Sequence, residues 1–147
     1  MAGELVVVYN LLPEIAAKVE EMADKAIRKA AFEVVAASMA AAPVGPTGFL
    51  KNSHYVELSG SDGGTNEHSY SAVQSPQADQ TLLPEVDKPT EKHTAIVAVG
   101  ASYATFVEYG TVHMPARPFL TPAVELVAPQ LLRAYELIFS FMEANAL

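Results

Sequence analysis

The sequence predicts an α+β domain: a long N-terminal helix and a C-terminal helix packed on a small, mostly antiparallel sheet, with a long mobile loop. Three observations carry this expectation. Ile15, Val19, Met22, Ala26, Ala30 and Val34 recur at three- and four-residue steps, the spacing of one helix face. Leu126, Leu131, Leu132, Tyr135, Ile138, Phe139 and Met142 carry a second helix near the C-terminus. Between and before them lie short β-branched runs of strand composition. At 147 residues, half of them hydrophobic, the chain reads as one domain spanning residues 1–147.

Glu4-Leu5-Val6-Val7-Val8-Tyr9 is a short strand by composition. Asn10 or Leu12 precedes the first helix, which the sequence starts at Pro13, because proline suits the first helical turn. Glu21–Lys25 and Asp24–Arg28 are four apart with the acid first, the favourable order for surface pairs. After Glu33 the helix is apolar or small all round to Ala42, so its last turns are expected to be covered on most sides. Pro43 stops it. Residues 54–58 alternate weakly as a strand. Residues 59–92 are rich in Gly, Ser, Asn, Gln, Pro and Asp and read as an extended mobile loop, with a short strand possible at 69–73.

Residues 94–99 form the clearest strand, ended by Gly100. Tyr103, Phe106, Val107 and Gly110 then sit at helical spacing, with Ser102 as cap and Gly110 as the left-handed terminator; a strand with Tyr103, Thr105, Val107 and Tyr109 on one face is the competing reading. Residues 114–118 hold two prolines and must be extended. Thr121 followed by Pro122 looks like a cap and first helical residue, with Glu125 near the positive end of the dipole. Pro129 is expected to kink the last helix or to divide a first turn from it.

Composition excludes several function classes. There is no cysteine, which removes disulfides, thiolate zinc sites and cysteine nucleophiles and fits a reducing cytoplasm. Met1-Ala2-Gly3-Glu4-Leu5 lacks the basic start of a secretion signal, and no uncharged apolar run reaches membrane-spanning length. The net charge is −8, with seven acids against five bases in residues 1–60 and ten against four beyond. Such a balance disfavours gripping nucleic acid.

Sites of chemistry are sparse. The histidines at 54, 68, 93 and 113 lack helical metal-ligand spacing and read as scattered surface residues, so no metal or other cofactor is expected. Gly60 and Gly63-Gly64 lack the lysine of a phosphate loop. Ser53 and His54 are adjacent, which does not set a base on a nucleophile. Glu108 is the one acid in an apolar segment; it serves either as a general acid or base with a raised pKa or, more commonly for such residues, as an acceptor for backbone donors or an ion-pair partner.

Three clusters are distinctive in combination. The first is Ala42-Pro43-Val44-Gly45-Pro46-Thr47-Gly48-Phe49-Leu50-Lys51-Asn52-Ser53. The second is Tyr103-Ala104-Thr105-Phe106-Val107-Glu108-Tyr109-Gly110-Thr111. The third is Met114-Pro115-Ala116-Arg117-Pro118-Phe119-Leu120-Thr121-Pro122-Ala123. In this order they resemble the family of small neck, or head–tail joining and tail-completion, proteins of long-tailed double-stranded DNA bacteriophages and prophages. The resemblance covers the chain from Leu5 to the last helix. It departs from the family at Phe49, where a basic residue is usual, and in the length of the 59–92 loop.

The resemblance implies a structural virion protein without enzymatic activity. It implies a ring of six or twelve copies around the DNA exit channel, assembled in the host bacterial cytoplasm and located in the neck of the virion, with no membrane role. Its partners would be a head-closure or connector protein, a tail terminator or tail tube protein, and DNA only as passing cargo. Pro43, Thr47, Gly48, Leu50, Ser53, Tyr103, Ala104, Phe106, Glu108, Tyr109, Gly110, Thr111, Pro115, Arg117, Pro118, Phe119 and Pro122 become the motif and expected subunit-interface residues. Three rivals remain: a tail terminator or head-closure protein of the same neck, a small hydrolase or nuclease using Glu108 with a histidine, and a host-derived binding module.

Overall fold

A computed structural model describes residues 12–45, 48–59, 87 and 89–146. Four expectations lie outside these residues: the strand at 4–9, Thr47, the strand at 69–73, and nearly all of the 59–92 loop with its Gly60, Gly63, Gly64 and His68.

The first helix, α1, runs Leu12–Ala41, starting one residue before Pro13 and ending two before Pro43. Its polar side carries the Lys25–Glu21 and Lys29–Glu33 pairs. Ala30, Ala31, Val34, Val35 and Ser38 turn inward, whereas Ala36, Ala40 and Ala41 stay exposed on the single chain. A single turn, α2 (Phe49–Asn52), follows, entered through Gly48 in the left-handed conformation at φ 62°, ψ 18°. This is an angle pair that a side chain resists.

Strands β1 (His54–Leu58) and β2 (Ala95–Val99) pair antiparallel, His54 opposite Val99 and Leu58 opposite Ala95. Paired residues share a face, so His54, Val56, Leu58, Ala95, Val97 and Val99 all point one way. That face meets α1: Val56 is fully buried among Ala31 and Val35. Burying a valine of this kind contributes about 1.5–3 kcal/mol.

The short helix α3 (Ala104–Tyr109) confirms the helical reading of the second cluster. Its cap residue is Tyr103 rather than Ser102, and no side chain caps it. The last helix, α4, runs Leu120–Ala146 and is not divided at Pro129. It lies antiparallel to α1: Ala30 and Val34 pack with Ala123 and Val127, while further along Asp24 approaches Tyr135. Leu120 and Leu131 close over the same core, and Val97 of β2 joins it from below. The molecule is thus two long helices laid across one face of a two-stranded ribbon among the described residues. α2, α3 and the start of α4 gather at one end.

Candidate functional site

The three sequence clusters meet at that end. Ala42, Phe49, Leu50, Ala101, Ala104 and Phe119 form one buried core, with Val99, Tyr103, Val107 and Leu120 packed against it. Ser53 fastens the first cluster to the segment before the second. Its hydroxyl donates to the Leu50 carbonyl at 2.9 Å and accepts the Ala101 N–H at 3.2 Å, and its own carbonyl accepts the Gly100 N–H at 2.8 Å. Phe49 lies with its ring centroid 6.3 Å from that of Tyr103 and is buried. An apolar residue at 49 therefore fills core. Burial raises the Tyr103 pKa, against the opposing pull of a hydrogen bond to the Leu50 backbone.

Glu108 joins the second cluster to the third. Its Oε2 accepts the N–H groups of Phe119 at 2.8 Å and Leu120 at 3.0 Å, and its Oε1 accepts that of Thr121 at 2.9 Å. Phe119 immediately precedes α4 and Leu120 and Thr121 open it, and N–H groups at such a helix start have no partner inside the helix. The helix start expected at Thr121 and Pro122 is therefore corrected: α4 begins at Leu120 and holds no acid in its first turn. A carboxylate from α3 takes the place of a local cap and also meets the positive end of the helix dipole. Burial pushes the Glu108 pKa up, but the Thr121 hydroxyl and the three backbone donors outweigh it and hold the carboxyl below its ordinary value. An acid stabilised in its charged form in this way is poorly suited to proton transfer near neutral pH.

The loop between α3 and α4 is held at several points. Thr111 and Met114 exchange backbone hydrogen bonds of 2.8 and 3.3 Å, and the Arg117 N–H reaches the Val107 carbonyl at 2.8 Å. Gly110 terminates α3 at φ 77°, ψ 174°. Its φ is positive as expected, but the pair of angles lies outside the left-handed helical well, in a region open almost only to glycine.

His54 corrects the expectation of scattered surface histidines, since it is 1% exposed. The Lys51 carbonyl, 2.9 Å from Nδ1, can only accept, so Nδ1 carries the proton and Nε2 receives the Ser38 hydroxyl at 2.7 Å. Burial lowers the His54 pKa, with the Lys51 and Leu50 backbones pulling weakly the other way. Its ring meets Phe119 edge-on at 5.7 Å. A serine hydrogen-bonded to histidine has the form of an activated nucleophile, but Ser38 is wholly buried and His54 has no carboxylate behind it. His93 donates to Asp24 at 2.6 Å and ties the turn before β2 to α1, while His113 is exposed. No group of three potential metal ligands occurs among the described residues, and no described helix is long and apolar enough to cross a membrane.

The motif residues divide into two sets. Leu50, Ser53, Ala104, Glu108 and Phe119 are buried within the chain. Phe106, Tyr109, Thr111, Pro115, Arg117, Pro118 and Pro122 are exposed, with Pro43, Gly48, Tyr103 and Gly110 between. Residues 10–110 match a family described as "Bacteriophage HK97-gp10, putative tail-component", which covers more than half of the chain. The chain belongs to this HK97-gp10-like family. The match takes in the first cluster and all of the second but Thr111, and it does not reach the third. Membership in a phage tail-component family agrees with the resemblance seen in the sequence, and makes the protein a structural part of a phage particle. No curated protein and no solved structure matches the chain. The anchors of the HK97-gp10-like chain that pattern alone missed are His54 and Ser38, sixteen residues apart in sequence.

Proposed function

We propose that this protein is a neck component of the phage particle, one subunit of a ring that joins the DNA-filled head to the tail and lines the DNA exit channel. The supporting observation is the pre-shaped end of the molecule. Glu108, Gly110 and the prolines at 115, 118 and 122 hold an exposed loop in one form, with little left to order on contact. A part that must fit its neighbours repeatedly around a ring needs such a surface. In this reading the buried motif residues build the frame, and the exposed ones, Phe106, Tyr109, Thr111, Pro115, Arg117, Pro118 and Pro122, meet neighbouring subunits or layers. Those layers are a head-closure or connector protein on one side and a tail terminator or tail tube protein on the other. DNA is passing cargo, and the net charge of −8 suits a wall past which it slides. Six or twelve copies match this role, assembled in the bacterial cytoplasm and ending in the neck of the virion.

Gold-labelled antibodies against the purified protein test the position directly. Label is expected at the head–tail junction, on intact particles or on heads and tails separated there. Label along the tube or at the far tip of the tail contradicts the proposal.

A further inference from the structure

Among the described residues, seven of the large exposed apolar side chains fall on two distinct surfaces, while Val44 after α1 and Leu126 and Leu137 on the opposite side of α4 lie outside both. One is the end just described, where Phe106, Tyr109 and Val112 project from α3 and its following loop, Val112 being 98% exposed. The other runs along α4. At 3.6 residues per turn, Val124, Leu132, Phe139 and Met142 fall within an arc of about 80° and extend about 27 Å along the helix. All four are exposed, beside the buried row of Ala123, Val127 and Ile138. This stripe opens into an apolar cleft of about 270 Å³ between α1, β2 and α4, lined by residues that include Ile27, Ala30, Val97, Ala128 and Leu131. A contiguous apolar surface of this extent on one chain marks a place where another molecule sits.

Charge distinguishes the two surfaces. Glu125, Glu136 and Glu143 are exposed and stand eleven and seven residues apart, which aligns them in one row along the outer border of the stripe. The loop from Gly110 to Pro118 contains His113 and Arg117, both exposed, and no acid. One surface is thus an apolar tip with a basic flank, and the other an apolar trough with an acidic rim. A chain bearing two different and complementary surfaces associates head to tail, whereas stripe on stripe would set the acidic rows against each other.

We infer that the α4 stripe and its cleft receive a second copy of this chain, whose Val112 loop seats there with Arg117 against the Glu125, Glu136 and Glu143 row. The inference rests on the ring reading and names the two surfaces that close the ring. Because the chain has no cysteine, introduced thiols report without background. Full-length protein carrying both Val112→Cys and Ala128→Cys, treated with a short bis-maleimide, is expected to give a ladder of covalent multimers ending at the ring size. Each single variant is expected to stop at the dimer. Both positions are exposed, so neither change disturbs the core.

Absence of a ladder from the double variant overturns the inference. If untreated wild-type protein then sediments as a multimer, the ring reading stands and only the docking surfaces are wrong. If it sediments as a monomer at every concentration, and no ladder forms in infected cells either, both fail. A cross-link in infected cells to a different phage protein overturns the inference in favour of that partner.

Discussion

Replacing Glu108 with alanine is expected to destabilise the domain by about 3 kcal/mol or more, the sum of losing several charge-assisted hydrogen bonds and leaving their donors buried. Three donors depend on it, the N–H groups of Phe119, Leu120 and Thr121, and Phe119 is 1% exposed, so water cannot replace the carboxylate there. Glu108→Gln is expected to lose less, because one oxygen still accepts while the amide group faces donors it cannot satisfy. Equilibrium unfolding in denaturant checks both, and an unchanged unfolding free energy for Glu108→Ala would mean that the α4 start is capped by something else. The pH dependence has a definite sign. Glu108 titrates below its ordinary value of 4.5, so its contribution is complete above that pH and is lost as pH falls through the folded value. His54 also titrates below its ordinary value of 6.5, so the neutral ring contributes stability above 6.5 that is lost as pH drops below it. Wild type is therefore expected to weaken in acid in two stages. Glu108→Ala keeps the loss that begins near 6.5 and lacks the Glu108 share of the further loss below 4.5, the exposed Glu21 with its lysine partners keeping its own.

Gly110→Val is expected to cost about 3 kcal/mol or more, combining backbone strain with a steric collision. A Cβ at this position would lie 2.7 Å from the Ala116 nitrogen and 2.9 Å from the Met114 oxygen, both backbone atoms of the loop that must pass close by. Because the collision begins at the first side-chain carbon, Gly110→Ala is expected to approach the valine variant in cost. At an ordinary left-handed glycine, alanine would cost only about 1 kcal/mol. Melting temperatures of the two variants decide the matter, and a mild alanine variant would show that the loop can move aside. The loop so displaced carries Val112 and Arg117, so assembly is expected to fail along with stability.

Much of the fold was legible in the chain. The Ile15-to-Val34 periodicity with Pro43 behind it marks α1, the β-branched run at 94–99 marks β2, and Gly110 has the positive φ expected of it. Legibility failed where a distant residue overrides a local rule. Thr121-Pro122 has the local form of a helix start, but the acceptor that caps α4 stands twelve residues upstream of Leu120, at Glu108. Nothing in the residues around His54 requires burial; it is Ser38, on α1, that satisfies its Nε2 inside the core. The α4 periodicity carried too much information for one chain. Leu126, Leu132 and Phe139 belong to the apolar pattern, yet each is 63% exposed, because the single subunit buries only the Ala123, Val127 and Ile138 row. The convergence of the three clusters on one end could be expected only from the family resemblance, since contact between Ser53 and Ala101 has no local signature.

The joining role is tested most directly by removing the protein. A phage with an early stop codon in this gene, grown in a non-suppressing host and viewed by negative-stain microscopy, is expected to accumulate DNA-filled heads and separate tails of normal length. Overlong tails would assign the protein to tail termination, and heads that package and then leak DNA would assign it to head closure. Normal, infectious particles would contradict the account.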